Sequence, residues 1–182
     1  MGKAGYEYLW AYKITVPIYD LTVEFVGRFV SNRSRTGEQM IQAARSGSQN
    51  VAEGAKEQSL MGYVKLAGVA RASLEELLKD YLAFARQKRL EVWPKEKAKR
   101  EIGEIREIWE IIRKNPYLPD NPYFPHLPYS PVVAVNLMIT LVNQANLLLD
   151  RLVVSLKEKH RTEGGLTEKL LRQRLDYRRN YA

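Results

Sequence analysis

Two long stretches of the sequence place apolar residues at alternating steps of four and three, which is the spacing of helices that pack along their length. The first series runs from Tyr63 to Phe84, and the second runs from Val135 to Leu156. No segment alternates β-branched and polar residues over the length of a strand. Because such helices gain most of their stability by packing against one another, the spacing predicts an all-α chain of long, bundled helices.

Two further segments complete the predicted bundle. Pro17 suits the first turn of a helix, and Ile18, Leu21 and Phe25 follow it on one face. The next segment carries a narrow stripe of small residues, including Gly47, which permits close approach of a neighbouring helix. We therefore predict an antiparallel up-and-down four-helix bundle, formed by residues 17–31, 37–58, 62–89 and 131–160.

The residues between the third and fourth predicted helices form two distinct pieces. Residues 95–114 have the periodicity of a further amphipathic helix, and proline recurs at every third position of residues 115–131. Polyproline II has three residues per turn, so one edge of this proline-rich segment is all proline and another carries Leu118, Phe124 and Leu127. About sixteen residues in this conformation span roughly 50 Å, which is enough to return along the bundle.

We predict that the proline-rich segment is a crossover strap whose apolar edge faces the bundle. The alternative is a docking peptide for an aromatic groove of the SH3 or WW type, because such grooves bind polyproline II. The two interpretations differ in whether Leu118, Phe124 and Leu127 are buried.

The length of 182 residues suits one domain with an appendage. Gly164 and Gly165 stop the last long helix, and Thr167 is placed to cap a short basic helix after them. We therefore assign residues 1–160 to a bundle domain, which includes the inserted helix and the strap, and residues 161–182 to a basic C-terminal suffix.

The composition excludes several classes of site. The sequence has no cysteine, which rules out disulfides, thiolate metal sites and a cysteine nucleophile. It shows no phosphate-cradling glycine loop, no nucleophile elbow and no metal-ligand spacing. We therefore expect that the protein is not an enzyme and holds neither a cofactor nor a metal ion.

An apolar run at residues 132–149 approaches the length of a transmembrane helix. Four amide side chains interrupt it: Asn136, Asn143, Gln144 and Asn146. Because amides are costly in hydrocarbon, we predict a buried helix rather than a membrane span. The N-terminal residues lack the apolar run of a signal peptide, and we expect a cytoplasmic protein with no membrane partner.

The second and third predicted helices carry a recognisable motif. The sequence "NVAEG", residues 50–54, is followed in the next helix by Ala70, Ser73, Glu76 and Leu77. In these positions the chain resembles the bacterial-type four-helix bundle family encoded within 23S rRNA intervening sequences. Residues 15–90 carry the resemblance, and the C-terminal residues look like the extension of a longer subgroup, the four-helix bundle suffix proteins.

This resemblance implies a type of protein rather than a reaction. The family is similar to the accessory variability protein of diversity-generating retroelements, a basic, ring-forming bundle that engages nucleic acid and a reverse transcriptase. Members of the core family associate as rings of five, and no member is an established enzyme. The resemblance therefore leads us to expect a homo-oligomer here.

The basic residues form the first candidate site. The net charge of +8 and the pI of about 9.6 favour polyanionic partners. Arginine interleaved with aromatic residues suits phosphate contacts and base stacking, although a solvated helix face is the simpler explanation. The residues that we expect to bind nucleic acid are Arg28, Arg33, Arg35, Lys169, Arg172, Arg174, Tyr177, Arg178 and Arg179.

Polar residues at matched positions of the second and third predicted helices form another candidate site, which consists of Asn50, Glu53, Ser73 and Glu76. Two carboxylates on neighbouring helices could act as acid and base or bind a divalent cation. A di-metal bundle also requires histidines beside them, and both histidines, His126 and His160, lie elsewhere. We therefore predict a structural polar layer that fixes helix register.

The residues thus favour a non-catalytic accessory or scaffold protein that binds RNA or DNA mainly through electrostatics. The alternative is an oligomeric protein-interaction module whose positive charge has no role in nucleic-acid binding. Binding that weakens with salt would distinguish the first from the second.

Overall fold

The computed structural model describes residues 9–31, 35–118 and 123–181. Every regular secondary-structure element within these residues is an α-helix, and the predicted all-α class is confirmed. The helices are α1 (Trp10–Phe29), α2 (Arg35–Gly54), α3 (Leu60–Gln87), α4 (Lys95–Glu101), α5 (Gly103–Lys114), α6 (Pro131–Glu163) and α7 (Leu166–Tyr181).

The largest core lies among α1, α2, α3 and α6. Both α2 and α6 pack against α1 and against α3. Phe25 lies at the centre of an aromatic cluster, with the ring centroids of Phe29, Tyr81 and Phe84 at 5.2, 4.9 and 4.9 Å. The buried hydroxyl groups of Tyr81 and Thr22 lie 2.8 Å apart, so the aromatic core leaves neither without a hydrogen bond.

Glycines set the distance between α2 and α3. A methyl group at Gly47 would lie 2.6 Å from Cδ2 of Leu74, and one at Gly54 would lie 2.6 Å from Cδ2 of Tyr63. These contacts run in opposite chain directions, so the two helices are antiparallel. The small-residue stripe of α2 therefore permits the close approach that its sequence predicts.

The first helix begins seven residues earlier than the sequence predicts. Trp10 is its first residue, and Pro17 lies inside the helix rather than in its first turn. Proline has no N–H for the carbonyl of Lys13, which normally weakens a helix interior. Ala11 and Ile14 are buried on the same face as Ile18, and this additional burial stabilises the longer helix.

The inserted helix predicted at residues 95–114 is two helices, α4 and α5. The chain is extended at Ile102, with φ −102° and ψ 101°, and Gly103 begins the next helix. The side chain of Ile102 is fully buried together with Ile105 and Ile108. The break therefore lets both short helices place their apolar residues in one core.

Other helices bury most of the apolar N-terminal half of α6. The helical segment Pro131–Asn180 contains an 18-residue window of mean hydropathy 1.7, long and apolar enough to cross a membrane, but 67% of that window is buried within the protein. The Asn136 amide donates to the carbonyls of Glu91 and Val132 and accepts the N–H of Trp93 at 2.7 Å. This amide therefore fastens the segment before α4 to the core.

The proline-rich segment is attached to α1 at its described residues. Leu118, Phe124 and Leu127 are buried, whereas residues 119–122 lie outside the described residues. The N–H of Leu127 donates to Glu24 at 3.0 Å, and its carbonyl accepts from Arg28 at 2.7 Å. The apolar edge thus faces inward, as a strap requires.

A buried lysine holds the other end of this segment. Lys13 is only 3% exposed, and its Nζ donates to the carbonyls of Ile112 and Asn115, both at 3.0 Å. The carbonyl of Pro116 lies at 3.4 Å from the same nitrogen. Lys13 therefore satisfies carbonyls at the C-terminal end of α5, where a helix has no N–H groups left to bond them.

Candidate nucleic-acid interface

The suffix helix α7 is exposed along its described side chains, residues 166–180. Lys169 pairs with Glu163 at 3.0 Å, whereas the described residues include no ion pair to Arg172, Arg174, Arg178 or Arg179. Tyr177 is 66% exposed. The arginines of this helix are therefore accessible to a large anion.

The structure describes two of the three arginines that were predicted near the first turn. Arg33 lies outside the described residues, and Arg35 is exposed at the start of α2. Arg28 pairs with Glu24, donates to Leu127 and lies 5.1 Å from the ring centroid of Tyr129. Through these contacts the guanidinium of Arg28 holds the proline-rich segment against α1.

The predicted polar layer is narrower in the structure. The hydroxyl oxygens of Ser46 and Ser73 lie 2.9 Å apart, and the amide of Asn50 donates to Ser46. Glu53 and Glu76 are exposed instead, and no hydrogen bond joins either carboxylate to Asn50 or Ser73 among the described residues. The layer therefore consists of Asn50 and Ser73 joined through Ser46.

A polar cleft of about 560 Å³ lies beside this layer, between α2 and α3. Its lining includes Gln42, Glu76 and Asp80. Burial, with the neighbouring charge of Glu76, raises the pKa of the Asp80 carboxyl. The described part of the chain contains no group of three or more His, Asp or Glu that could hold a metal ion, and this cleft offers two carboxylates.

The exposure of Glu53 leads to a stability prediction. Glu53→Ala should change the free energy of unfolding by less than about 0.5 kcal/mol, because an exposed side chain has nothing buried to leave unsatisfied. Asn50→Ala should cost about 1 kcal/mol, because it removes hydrogen bonds to Ser46. Denaturant unfolding measures both, and a loss at Glu53 as large as that at Asn50 would contradict this assignment.

A second basic surface, which the sequence did not predict, lies where α1, α4, α5 and α6 meet. Trp10 and Trp109 line a cleft of about 600 Å³, and Trp93 lines an adjoining cleft of about 400 Å³ that shares Lys95, Gln144 and Leu147. Together the two clefts form what we call the tryptophan groove. It contains all three tryptophans of the chain.

The tryptophan groove is positively charged. Its basic lining residues are Lys95, Lys99, Arg106, Arg113 and Arg151, and no carboxylate lines either cleft in the described part of the chain. Only Lys99 has a carboxylate within ion-pair distance among the described residues, Glu96 at 3.8 Å. The groove therefore concentrates positive potential in a concave site.

Hydrogen bonds and ring contacts fix the tryptophans. The Nε1–H of Trp109 donates to Gln144 at 2.6 Å, and its ring centroid lies 5.8 Å from that of Trp10. Nζ of Lys97 lies 4.6 Å from the ring centroid of Trp93. The rings are therefore held in place, and Trp10 remains 46% exposed.

The sequence contains a signal for this groove at helical spacing. Arg106, Trp109 and Arg113 follow one another at steps of three and four, and Lys95 and Lys99 lie one turn apart. Glutamates lie between these basic residues in the linear sequence, so α4 and α5 look evenly charged there. Positive and negative side chains separate only when the residues are placed on helical faces.

No family model matches this chain, and neither a curated protein nor a solved structure matches it with significance.

Proposed function

We propose that this protein is a non-catalytic accessory or scaffold protein that binds RNA or DNA mainly through phosphate contacts. The observation that carries the proposal is the tryptophan groove, whose lining in the described part of the chain includes five basic side chains and no carboxylate. The accessible arginines of α7 add a second cationic surface. Phosphate contacts of this kind give affinity with little sequence preference.

The proposal includes the architecture. We propose that α1, α2, α3 and α6 form the antiparallel up-and-down four-helix bundle of the intervening-sequence type. The proline-rich segment is then its crossover strap, and α7 is its basic suffix. The pairing of α2 and α6 with both α1 and α3 supports this arrangement. The resemblance at residues 50–54 further suggests a homo-oligomer.

A salt titration tests nucleic-acid binding. Affinity for RNA or DNA should fall at least about tenfold between roughly 50 and 200 mM salt, because several phosphates release counterions. A chain ending at Gly165 should bind more weakly and with a smaller salt slope, because it lacks five basic residues of α7 against two acidic ones. Circular dichroism would confirm that the shortened chain keeps its helices.

If the protein binds no nucleic acid even at the lowest salt concentration, the proposal is contradicted. The protein-interaction module would then be favoured, and one observation supports it. Leu170, Leu171 and Leu175 on α7 are each more than half exposed. Leucines on an isolated helix suit a protein partner, and a pull-down with the full chain would detect one.

A further inference from the structure

We propose that the tryptophan groove is a binding site for single-stranded nucleic acid, with an unpaired base stacked on Trp10 and phosphates on its lysines and arginines. This inference rests on the proposed function and specifies the form of nucleic acid that the protein binds. Aromatic side chains bind unpaired bases because every base has a π-face, and pairing inside a duplex hides that face.

The ring geometry identifies where a base stacks. A centroid distance of 5.8 Å is that of two rings already in contact, so no base enters between Trp10 and Trp109. Trp10 is 46% exposed, and its ring has Lys13 at 5.6 Å from the centroid. The exposed part of the Trp10 ring is therefore the platform for a base.

The groove is organised before any ligand binds. Gln144 holds the indole of Trp109, and Trp109 in turn supports Trp10. The backbone N–H of Trp93 donates to the buried amide of Asn136 at 2.7 Å. Binding therefore orders few side chains, which favours affinity.

The length and charge of the groove fit a short single strand. Along α6 the groove extends from Ile139 to Arg151, which is about 18 Å, or the length of about five stacked nucleotides. Basic side chains line this length, with Lys95 in both clefts and Arg151 at one end. A polyanion matches this surface in charge, whereas an apolar partner alone would leave the cations unpaired.

The test compares two probes on the full chain by fluorescence anisotropy in low salt. One is a single-stranded oligodeoxythymidylate of about 12 nucleotides, and the other is a duplex of the same length. The wild type should bind the single strand more tightly than the duplex, and its tryptophan fluorescence should be quenched. Equal affinity for the two probes would overturn the inference.

Variants locate the site. Trp10→Leu should weaken single-strand binding about tenfold while changing duplex binding less than about twofold, because stacking supplies affinity only for unpaired bases. The matched control, Tyr123→Leu, removes an exposed aromatic ring outside both the groove and α7, and it should leave the ratio of the two affinities unchanged. Unchanged single-strand binding by a folded Trp10→Leu would also overturn the inference.

A second variant does not touch the tryptophans. Arg106→Gln with Arg151→Gln removes two exposed cations and should lower the salt slope for the single strand by about 1.4. An unchanged salt slope would show that the single strand binds outside the groove and would overturn the inference.

If neither probe binds in low salt, the proposed function fails together with this inference. If binding depends on salt but shows no preference for the single strand, this inference fails and the proposed function stands.

If a second copy of the chain occupies the groove, the Arg106 and Arg151 variant should change the sedimentation of the free protein and leave the affinity for the single strand unaltered. That outcome would overturn the inference as well.

Discussion

Replacing Phe124 and Leu127 together by alanine is expected to lower the free energy of unfolding by about 5 kcal/mol, because each truncation removes buried apolar surface and leaves a cavity. Phe124 is 9% exposed and Leu127 is 2% exposed, and both pack in the main hydrophobic core. Domains have only about 5–15 kcal/mol of stability, so this loss is a large fraction of the total.

The same segment supplies the control. Tyr123 is 75% exposed, and Tyr123→Ala should change the free energy of unfolding by less than about 0.5 kcal/mol. Urea unfolding followed by circular dichroism measures both variants, with the wild type as reference. If the double variant has wild-type stability, the proline-rich segment is not a strap, and the docking-peptide alternative is favoured.

The inward edge of this segment was predictable because its signal is local. A proline at every third position sets three edges, and the edge with Leu118, Phe124 and Leu127 is the apolar one in sequence and in structure. The all-α class was predictable for the same reason, because residues three and four apart share one helix face. Neither prediction requires knowledge of distant partners.

The unpredicted features depend on distant partners. The contact of Arg28 with the carbonyl of Leu127 joins residues 99 positions apart in the chain. Glu53 and Glu76 matched in position along their helices, yet both side chains are exposed. The tryptophan groove combines residues of α1 with residues of α4, α5 and α6. Periodicity within one segment contains no information on which faces of separate helices meet.

Lys13 is a further distant contact, and it leads to the second large effect. Lys13→Met should lower the free energy of unfolding by about 2–3 kcal/mol, because buried carbonyls lose their donor while the apolar volume is kept. The carbonyls of Ile112 and Asn115 each lie 3.0 Å from Nζ. Lys114→Met is the matched control at the same end of α5, where an exposed pair with Glu110 at 3.6 Å contributes less than about 1 kcal/mol.

The pH dependence of this effect separates a buried ammonium from simple packing. Burial lowers the pKa of Lys13 from its usual 10.5, so the folded protein releases this proton at a lower pH than the unfolded chain does. The contribution of Lys13 to the free energy of unfolding therefore increases as the pH rises from the lowered pKa towards 10.5. The difference between wild type and Lys13→Met should widen over that range, while tyrosine titration affects both proteins alike. A difference that stays constant with pH would show that Lys13 contributes packing rather than a buried charge.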